Sequence, residues 1–212
     1  MVHALMIAGV YAITPDETNT DVLFSKVEAA LQGGVQVVQY RNKSATDLLK
    51  TQQVQALLPL CRQYHVPFII NDSIELCLTH DADGVHLGGD DGDLTKARAQ
   101  LGPGKLLGAS CYNRFELALS AQQNGADYVA FGACFTSATK PFAPLASLDL
   151  FKEAKFKLHI PAVAIGGITL DNALLAIEAG AHSIAVINAL FNAPDVKVAA
   201  KQLAQLFQNS TR

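Results

Sequence analysis

Short apolar stretches alternate along this chain with longer segments in which apolar residues recur at helical spacing. The short stretches are rich in β-branched and aromatic residues and predict strands, whereas the longer segments predict amphipathic helices. The predicted strands span 10–14, 35–41, 67–71, 85–87, 106–110, 128–132, 161–165 and 183–187. The predicted helices span 21–32, 46–64, 74–79, 94–101, 113–124, 147–157, 171–179 and 194–207, with Ser44 or Thr46, Asn113 and Ser147 as N-caps.

Strictly alternating strands and helices define the predicted fold class. Strands that are apolar on both faces indicate a parallel sheet covered by helices, and eight such units match a closed barrel better than an open sheet. A helix stop directly precedes each even-numbered strand, as at Gly33-Gly34 and Gly180-Ala181, which is the spacing of repeated two-unit modules. The sequence predicts an α/β protein, a (β/α)8 TIM barrel forming a single domain over residues 1–212.

Composition and charge narrow the range of functions. Of the 212 residues, 50% are hydrophobic, and 16 Lys+Arg against 19 Asp+Glu give a net charge of −3, which does not predict nucleic-acid binding. The four cysteines lie in apolar contexts without a C-x-x-C pair and are interpreted as reduced core residues. The apolar start, 1–14, lacks the basic residues of a signal peptide, and no apolar run is long enough to span a membrane. A cytoplasmic location without membrane partners is expected.

The second predicted strand becomes abruptly polar at its carboxyl end. Gln39, Arg41 and Lys43 would project to one side if the extended conformation persists, because strand side chains alternate between faces. A guanidinium fork, an ammonium and an amide together suit a phosphate or a diphosphate. The alternative is a frayed strand end in a solvated basic turn.

Aspartates follow the next two strands. Asn71-Asp72 ends the third strand, and Asp90 and Asp91 come shortly after the fourth. Neighbouring strands lie ~5 Å apart, so these carboxylates could face one another beside the cations. Such an arrangement predicts a bridging Mg²⁺, which binds one or two carboxylates plus phosphate oxygens. Each aspartate could instead cap a turn, the role expected for Asp90.

Polar or glycine-containing loops follow the remaining strands. Gly166-Gly167 and Ile187-Asn188 follow the last two, where barrels of this kind often hold a phosphate. Ser137, Thr139 and Lys140 lie in the loop after the sixth strand. This loop could bind a phosphate or a leaving group and close over the site as a lid. The alternative is an ordinary Ser/Thr turn. Ser110 offers a hydroxyl at the rim, and His86 is interpreted as a core histidine.

These motifs together resemble the thiamine-phosphate synthase family from Tyr11 to about Leu190. The matching residues are Gln39-x-Arg41-x-Lys43, Ile70-Asn71-Asp72, Gly84-Val85-His86-Leu87-Gly88, Asp91, Gly108-x-Ser110, Ser137-x-Thr139-Lys140, Ala164-Ile165-Gly166-Gly167-Ile168 and Ala185-Val186. The resemblance implies a Mg²⁺-dependent transferase of thiamine biosynthesis that joins hydroxymethylpyrimidine diphosphate to a thiazole phosphate and releases diphosphate. It also implies that diphosphate departs first, leaving a pyrimidine cation that the thiazole nitrogen attacks without a general base.

The resemblance also implies roles for individual residues. It assigns the pyrimidine diphosphate to Gln39, Arg41, Lys43, Asn71 and Ser110, with Lys140 on the diphosphate; Mg²⁺ to Asp72 and Asp91; and the thiazole phosphate to Ser137, Thr139, Gly167, Ile187 and Asn188. Of these, Arg41, Lys43, Ser110 and Lys140 are the expected catalytic residues.

The chain departs from the family pattern at several positions. Ser73 stands where arginine is usual, Gly89 where glutamine is common, Ala133 and Thr136 where prolines are usual, and Asn188 where serine is usual. Two alternatives therefore stay open: a thiazole tautomerase-like isomerase and a non-catalytic sensor of phosphate ligands. The sequence leaves the oligomeric state open, including a homo-oligomer.

Overall fold

The computed structural model describes residues 7–88, 93–136 and 144–210. Within these ranges the strands are β1 (Gly9–Ile13), β2 (Val37–Tyr40), β3 (Phe68–Asn71), β4 (Gly84–Leu87), β5 (Leu106–Tyr112), β6 (Tyr128–Phe131), β7 (Ala162–Ile165) and β8 (Ser183–Val186). The helices are α1 (Thr20–Gln32), α2 (Asp47–Gln63), α3 (Ile74–His80), α4 (Leu94–Leu101), α5 (Phe115–Gln123), α6 (Asp149–Lys157), α7 (Ala173–Glu178), α8 (Asn188–Phe191) and α9 (Val196–Ser210).

The eight strands pair in parallel, each with the next, and β1 closes on β8. The closing register joins Val10 to Ile184 and Ala12 to Val186. This closed order confirms the predicted (β/α)8 barrel. Closure leaves no edge strand, and the helices cover the outer face of every strand.

Several predicted boundaries are wrong. Strand β2 begins at Val37 and ends at Tyr40, whereas β5 runs on to Tyr112, beyond its predicted end. The prediction of eight helices is also wrong, because the short helix α8 begins directly after β8 and α9 follows it. Apolar residues continue from β8 into α8, so the sequence pattern gives no break between them.

Of the predicted helix N-caps, one is confirmed and two are wrong. The Thr46 hydroxyl accepts a hydrogen bond from the Leu49 N–H at 3.3 Å, which confirms it as the N-cap of α2. Asn113 is not the cap of α5: the N-cap position is Arg114, and no side chain caps it. Ser147 accepts from the Asp149 N–H at 3.2 Å but lies one residue before the N-cap position of α6.

The buried side chains form two clusters on opposite faces of the sheet. Outward-facing strand residues such as Val38 and Phe68 pack with the helices in the larger cluster. The smaller cluster fills the barrel and includes Tyr11 and Tyr128 beside aliphatic residues. Residues in phase with these two tyrosines therefore point into the barrel.

The four cysteines, Cys61, Cys77, Cys111 and Cys134, are free and buried, as predicted. Burial raises the pKa of the Cys111 thiol to about 12, which leaves it protonated and unreactive at neutral pH. Among the described residues, no helix combines the length and apolarity needed to cross a bilayer.

Candidate active site

Those polar residues singled out in the sequence that the structure describes, such as Arg41, Asp72 and Ser110, lie at or just beyond the carboxyl ends of the strands. On one side of this mouth, Arg41 and Lys43 follow β2 and share one carboxylate. Asp16 Oδ1 accepts from the Lys43 backbone N–H at 2.8 Å and lies 3.4 Å from an Arg41 guanidinium nitrogen. The ion pair is partly exposed and adds little stability, so its main effect is to hold the two cationic residues together.

Gln39 lies beneath these cations. It is buried inside the barrel, where its Nε2 donates to the Tyr11 hydroxyl at 2.8 Å. Because β2 ends at Tyr40, the strand alternation expected to align Gln39, Arg41 and Lys43 does not reach Lys43. The three residues therefore form two levels: an amide in the barrel and two cations at its rim.

The loop after β1 fixes the Arg41 backbone. Thr14 is fully buried; its hydroxyl donates to the Arg41 carbonyl oxygen and accepts from the Arg41 N–H, both at 2.8 Å. Gln53 of α2 accepts from the Tyr40 hydroxyl at 2.8 Å and from Asn42 Nδ2 at 3.1 Å. These contacts clamp the segment that carries Arg41 and Lys43 from both sides.

Asp72 lies next to the cationic pair. Its Oδ2 accepts a short hydrogen bond from Asn71 and lies 3.9 Å from the Lys43 ammonium. Its backbone N–H donates to the His86 carbonyl oxygen at 2.9 Å, and its φ of +61° turns the chain away from the strand. The carboxylate is thereby held at the rim between β3 and β4.

Ser73, at the position where the family usually has arginine, has a local structural role here. Its hydroxyl accepts from the Leu76 N–H at 3.1 Å and caps α3. An arginine could not accept this bond, because its side chain carries donors only.

The predicted metal site is only partly within the described residues. Asp72 is described, whereas Asp91, Asp90 and Gly89 lie outside the described ranges. Within those ranges no group of three or more His, Cys, Asp or Glu side chains could hold a metal ion. One carboxylate beside two cations fits an ion that takes most of its ligands from a bound phosphate and water, as Mg²⁺ does.

Ser110 and His86 lie on neighbouring strands and bond to each other. His86 Nε2 is 3.0 Å from Ser110 Oγ, and His86 Nδ1 is 3.1 Å from the Tyr128 hydroxyl. His86 is thus a buried histidine with bonded ring nitrogens, as expected. Ser110 is half-buried, so its hydroxyl is both bonded to His86 and accessible from the mouth.

The opposite side of the mouth is formed by the loops after β7 and β8. These strands pair with Ile165 opposite Ala185, which brings Gly166-Gly167 beside Ile187-Asn188. Both glycines have positive φ, +97° and +65°. Ile187 packs against the inner cluster, and Asn188 is exposed at the start of α8.

Close packing explains the two glycines. A Cβ on Gly166 would lie 2.7 Å from the Ala133 Cα, and one on Gly167 would lie 2.3 Å from the Phe135 carbonyl oxygen. Two backbone hydrogen bonds stabilise the same contact. The Cys134 N–H donates to the Ile165 carbonyl oxygen at 2.9 Å, and the Phe135 N–H donates to the Gly166 carbonyl oxygen at 3.0 Å. The glycines therefore let the loop after β6 lie directly against the loop after β7.

The described ends of the β6–α6 loop meet at its base, where the Ala146 N–H donates to the Ala133 carbonyl oxygen at 2.8 Å. Ala133 and Thr136, the two positions where prolines are usual, lie on the described side. Ser137, Thr139 and Lys140 lie outside the described residues, so their predicted contacts stay predictions.

A cavity of about 550 Å³ opens beside the cationic side of the mouth. Its lining includes Arg41, Lys43, Asn71 and Asp72, together with Lys50 of α2. A larger cavity of about 790 Å³ lies at the opposite end of the barrel, where Gly34 and Pro67 precede β2 and β3. The charged residues are concentrated in the smaller cavity, which identifies it as part of the candidate site.

Sequence reasoning missed the residues that support the site. Tyr11 and Tyr128 sit within predicted strands, and Thr14, Asp16 and Gln53 were assigned no role. A buried glutamine in an amphipathic helix and a threonine directly after a strand were the available signals, but their partners lie on other elements.

A closed (β/α)8 barrel with charged residues gathered at the carboxyl ends of its strands is the architecture of a barrel enzyme. A family model described as thiamine monophosphate synthase matches residues 10–190. The chain therefore belongs to the thiamine monophosphate synthase family.

Individual relatives of this chain support the same family assignment. A thiamine-phosphate synthase of Methylobacillus flagellatus is 56% identical over 201 residues, covering 95% of this chain and 96% of that protein. One of Aromatoleum aromaticum is 51% identical over 199 residues, covering 94% and 96%. These relatives confirm the predicted transferase of thiamine biosynthesis and do not favour the isomerase or the sensor.

Two solved structures share the fold, and one of them carries the name of the same family. A thiamine phosphate pyrophosphorylase from Pyrococcus furiosus superimposes with a TM-score of 0.86 at 33% identity, covering 97% of this chain and 98% of that one. A 3-hexulose-6-phosphate synthase superimposes with a TM-score of 0.69 at 16% identity and shows the likeness of fold alone.

Proposed function

We propose that this barrel joins hydroxymethylpyrimidine diphosphate to a thiazole phosphate in a Mg²⁺-dependent reaction that yields thiamine phosphate and diphosphate. The observation that carries the proposal is the pair of cations, Arg41 and Lys43, held by Asp16 next to the Asp72 carboxylate. Two cations beside a carboxylate suit a diphosphate bound together with a divalent metal ion.

The pyrimidine diphosphate would lie on the β2–β5 side of the mouth. Its diphosphate would contact Arg41, Lys43 and Asn71 at the rim, with Lys140 reaching it from the β6–α6 loop. The pyrimidine ring would enter the barrel toward Gln39 and Ser110, the two inward-facing residues beneath the rim. A polar amide and a hydroxyl there would orient the ring through its nitrogen atoms.

Asp72 and Asp91 would hold Mg²⁺. When bound, the ion would neutralise charge on the departing diphosphate. Lys43, 3.9 Å from Asp72, limits the negative charge that this carboxylate presents to the diphosphate.

The thiazole phosphate would lie on the β7–β8 side. Gly167, Ile187 and Asn188 would present backbone N–H groups to it, with Ser137 and Thr139 from the β6–α6 loop. The contact between Gly167 and Phe135 supports this assignment, because it joins the two loops that would share one phosphate.

The carbon–oxygen bond to the diphosphate breaks first, and the thiazole nitrogen then forms a bond to the same carbon of the resulting pyrimidine cation. The electron pair leaves with the diphosphate, so the cations Arg41, Lys43 and Lys140 act by stabilising developing negative charge. No proton is removed from the thiazole nitrogen, and no general base is assigned. Burial raises the pKa of the Tyr11 and Tyr128 phenols, so neither is an anion that could attack the pyrimidine.

The test is to incubate the protein with both substrates and Mg²⁺ and to quantify thiamine phosphate and diphosphate. Equal molar amounts of the two products are expected. Conversion of a thiazole substrate without diphosphate release would identify an isomerase, and binding without any product would identify a sensor. Omitting Mg²⁺ should abolish product formation.

A cytoplasmic location and assembly into a homo-oligomer complete the proposal. Free, buried cysteines support a reducing compartment. Exposed apolar side chains on α6 and α7, Phe156 and Leu175, support self-association. Fractionation of cells and light scattering of the purified protein test the two statements.

A further inference from the structure

A continuous row of hydrogen bonds crosses the inside of the barrel. Gln39 Nε2 donates to the Tyr11 hydroxyl at 2.8 Å, and the Tyr11 and Tyr128 hydroxyl oxygens are 2.8 Å apart. The row continues from the Tyr128 hydroxyl to His86 Nδ1 at 3.1 Å and from His86 Nε2 to Ser110 Oγ at 3.0 Å. Five strands, β2, β1, β6, β4 and β5, each contribute one side chain.

With Gln39 Nε2 as the donor of the first bond, one direction along the row gives every later proton an acceptor within it. Because the Tyr11 oxygen accepts from Gln39, its proton is available for Tyr128, and the Tyr128 proton is then available for His86 Nδ1. An accepting Nδ1 places the imidazole proton on Nε2, where it is donated to Ser110. The Ser110 hydroxyl proton is then not used within the row and can be donated to a ligand. The opposite direction would require the Tyr11 proton to point at an amide nitrogen, which cannot accept it.

Both phenols keep their protons, since burial raises the pKa of Tyr11 and of Tyr128. Both tyrosine hydroxyls in the row are therefore protonated, and neither is a phenolate. It leaves none of the buried polar side-chain atoms in the described ranges without a partner.

The backbone of β5 leaves room for the row. A Cβ on Gly108 would lie 2.4 Å from the Tyr128 hydroxyl oxygen and 2.5 Å from His86 Nδ1, too close to both atoms. Any side chain at Gly108 would therefore force Tyr128 or His86 to move from its present position. The two rings stay close, with centroids 5.5 Å apart.

We propose that Tyr11, Tyr128 and His86 are positioning residues that fix the Ser110 hydroxyl as a hydrogen-bond donor to the pyrimidine substrate, in a direction set by the Gln39 amide. The inference rests on the proposed function, because Ser110 is assigned there to the pyrimidine. It extends that function to three residues that would not touch the reacting atoms. The acceptor it selects is an unprotonated ring nitrogen rather than an amino group.

The direction of the row can be read in the unliganded protein. Long-range proton–nitrogen NMR correlations distinguish a histidine protonated on Nε2 from one protonated on Nδ1. We expect the Nε2–H form for His86 in the unmutated protein and a mixture of both forms in Tyr128→Phe. An Nδ1–H form in the unmutated protein would overturn the proposal.

Tyr40→Phe is the matched control. Like Tyr128→Phe, it removes one buried tyrosine hydroxyl. This hydroxyl lies on the outer face of β2, where it donates to the Gln53 amide oxygen at 2.8 Å. It should lower the melting temperature by an amount similar to that caused by Tyr128→Phe and leave the His86 tautomer unchanged. A tautomer change in Tyr40→Phe would show that the signal reports general loosening, which would also overturn the assignment.

Kinetics supply the second readout. Tyr128→Phe should raise the KM for the pyrimidine diphosphate about tenfold, the scale of one lost hydrogen bond, and leave the KM for the thiazole phosphate unchanged. Tyr11→Phe should change the KM in the same direction, and it replaces Tyr128→Phe if that variant fails to fold.

If the unmutated protein forms no thiamine phosphate, the proposed function fails. NMR and calorimetric binding of the pyrimidine diphosphate would still test the role of the hydrogen-bonded row. Unchanged tautomer and unchanged affinity in both variants would refute it.

Discussion

Thr14 and Arg41 are joined by two hydrogen bonds through one hydroxyl, which donates to the Arg41 carbonyl oxygen and accepts from its N–H, both at 2.8 Å. A valine at position 14 keeps the shape and loses both bonds. We expect Thr14→Val to reduce kcat/KM for the pyrimidine diphosphate by ~10- to 100-fold, since each bond is worth about 1 kcal/mol. Steady-state kinetics with each substrate varied in turn measure this.

Thr14→Ser is the control for that prediction, because it retains the hydroxyl and loses only a methyl group. It should recover most of the activity that valine removes. Equal loss in both variants would mean that packing of the methyl group, rather than the two bonds, positions Arg41.

Gly167→Ala should destabilise the protein as well as weaken thiazole-phosphate binding. Its Cβ would lie 2.3 Å from the Phe135 carbonyl oxygen, at a φ of +65°. The left-handed backbone alone costs an alanine roughly 1–3 kcal/mol, and the clash adds to it. Thermal unfolding and calorimetric titration of the thiazole phosphate test the two effects.

Gly102→Ala is a reference for a backbone cost without a clash. Gly102 has nearly the same φ, +70°, but a Cβ there meets nothing within 4 Å. It should show the backbone cost alone, with unchanged ligand affinity. Unchanged affinity for the thiazole phosphate in Gly167→Ala would contradict the role assigned to Gly167.

Asp72→Asn should uncouple Mg²⁺ from the diphosphate. We expect Mg²⁺ to tighten binding of the pyrimidine diphosphate by at least about tenfold in the unmutated protein, and reciprocally. Loss of the carboxylate should reduce this factor and leave thiazole-phosphate binding nearly intact. Calorimetric titrations of each ligand with and without Mg²⁺ measure the coupling.

Asp47→Asn is the companion variant, since Asp47 lines the same cavity and pairs with Lys50 at 3.1 Å. It should preserve the coupling. If Mg²⁺ failed to tighten diphosphate binding in the unmutated protein, the metal assignment of Asp72 and Asp91 would be wrong.

Lys140→Ala should lower kcat by about 100-fold or more with little change in melting temperature, because its charge matters most as the diphosphate departs. Lys152→Ala, which removes an exposed lysine paired with Asp149 at 2.8 Å, should leave kcat unchanged. Near-normal turnover in Lys140→Ala would remove this lysine from the mechanism.

The sequence by itself determined the alternation of strands and helices, and with it the barrel. Repeated apolar strands that must be covered on both faces admit few other arrangements, and chain order then dictates which loops meet at the mouth. Arg41, Lys43, Asp72 and Gly167 were therefore found at the mouth from the sequence alone, and their resemblance to the family gave the activity.

The tertiary structure decided which side chains support them. When a strand is apolar on both faces, its sequence does not show which residues point into the barrel and which point toward the helices. The inward orientation shared by Tyr11, Gln39, His86, Ser110 and Tyr128 was therefore visible only in the structure. The partners in that row lie up to 117 residues apart. Only closure of the barrel brings them within hydrogen-bonding distance, because a hydrogen bond depends on position in space and not on separation along the chain.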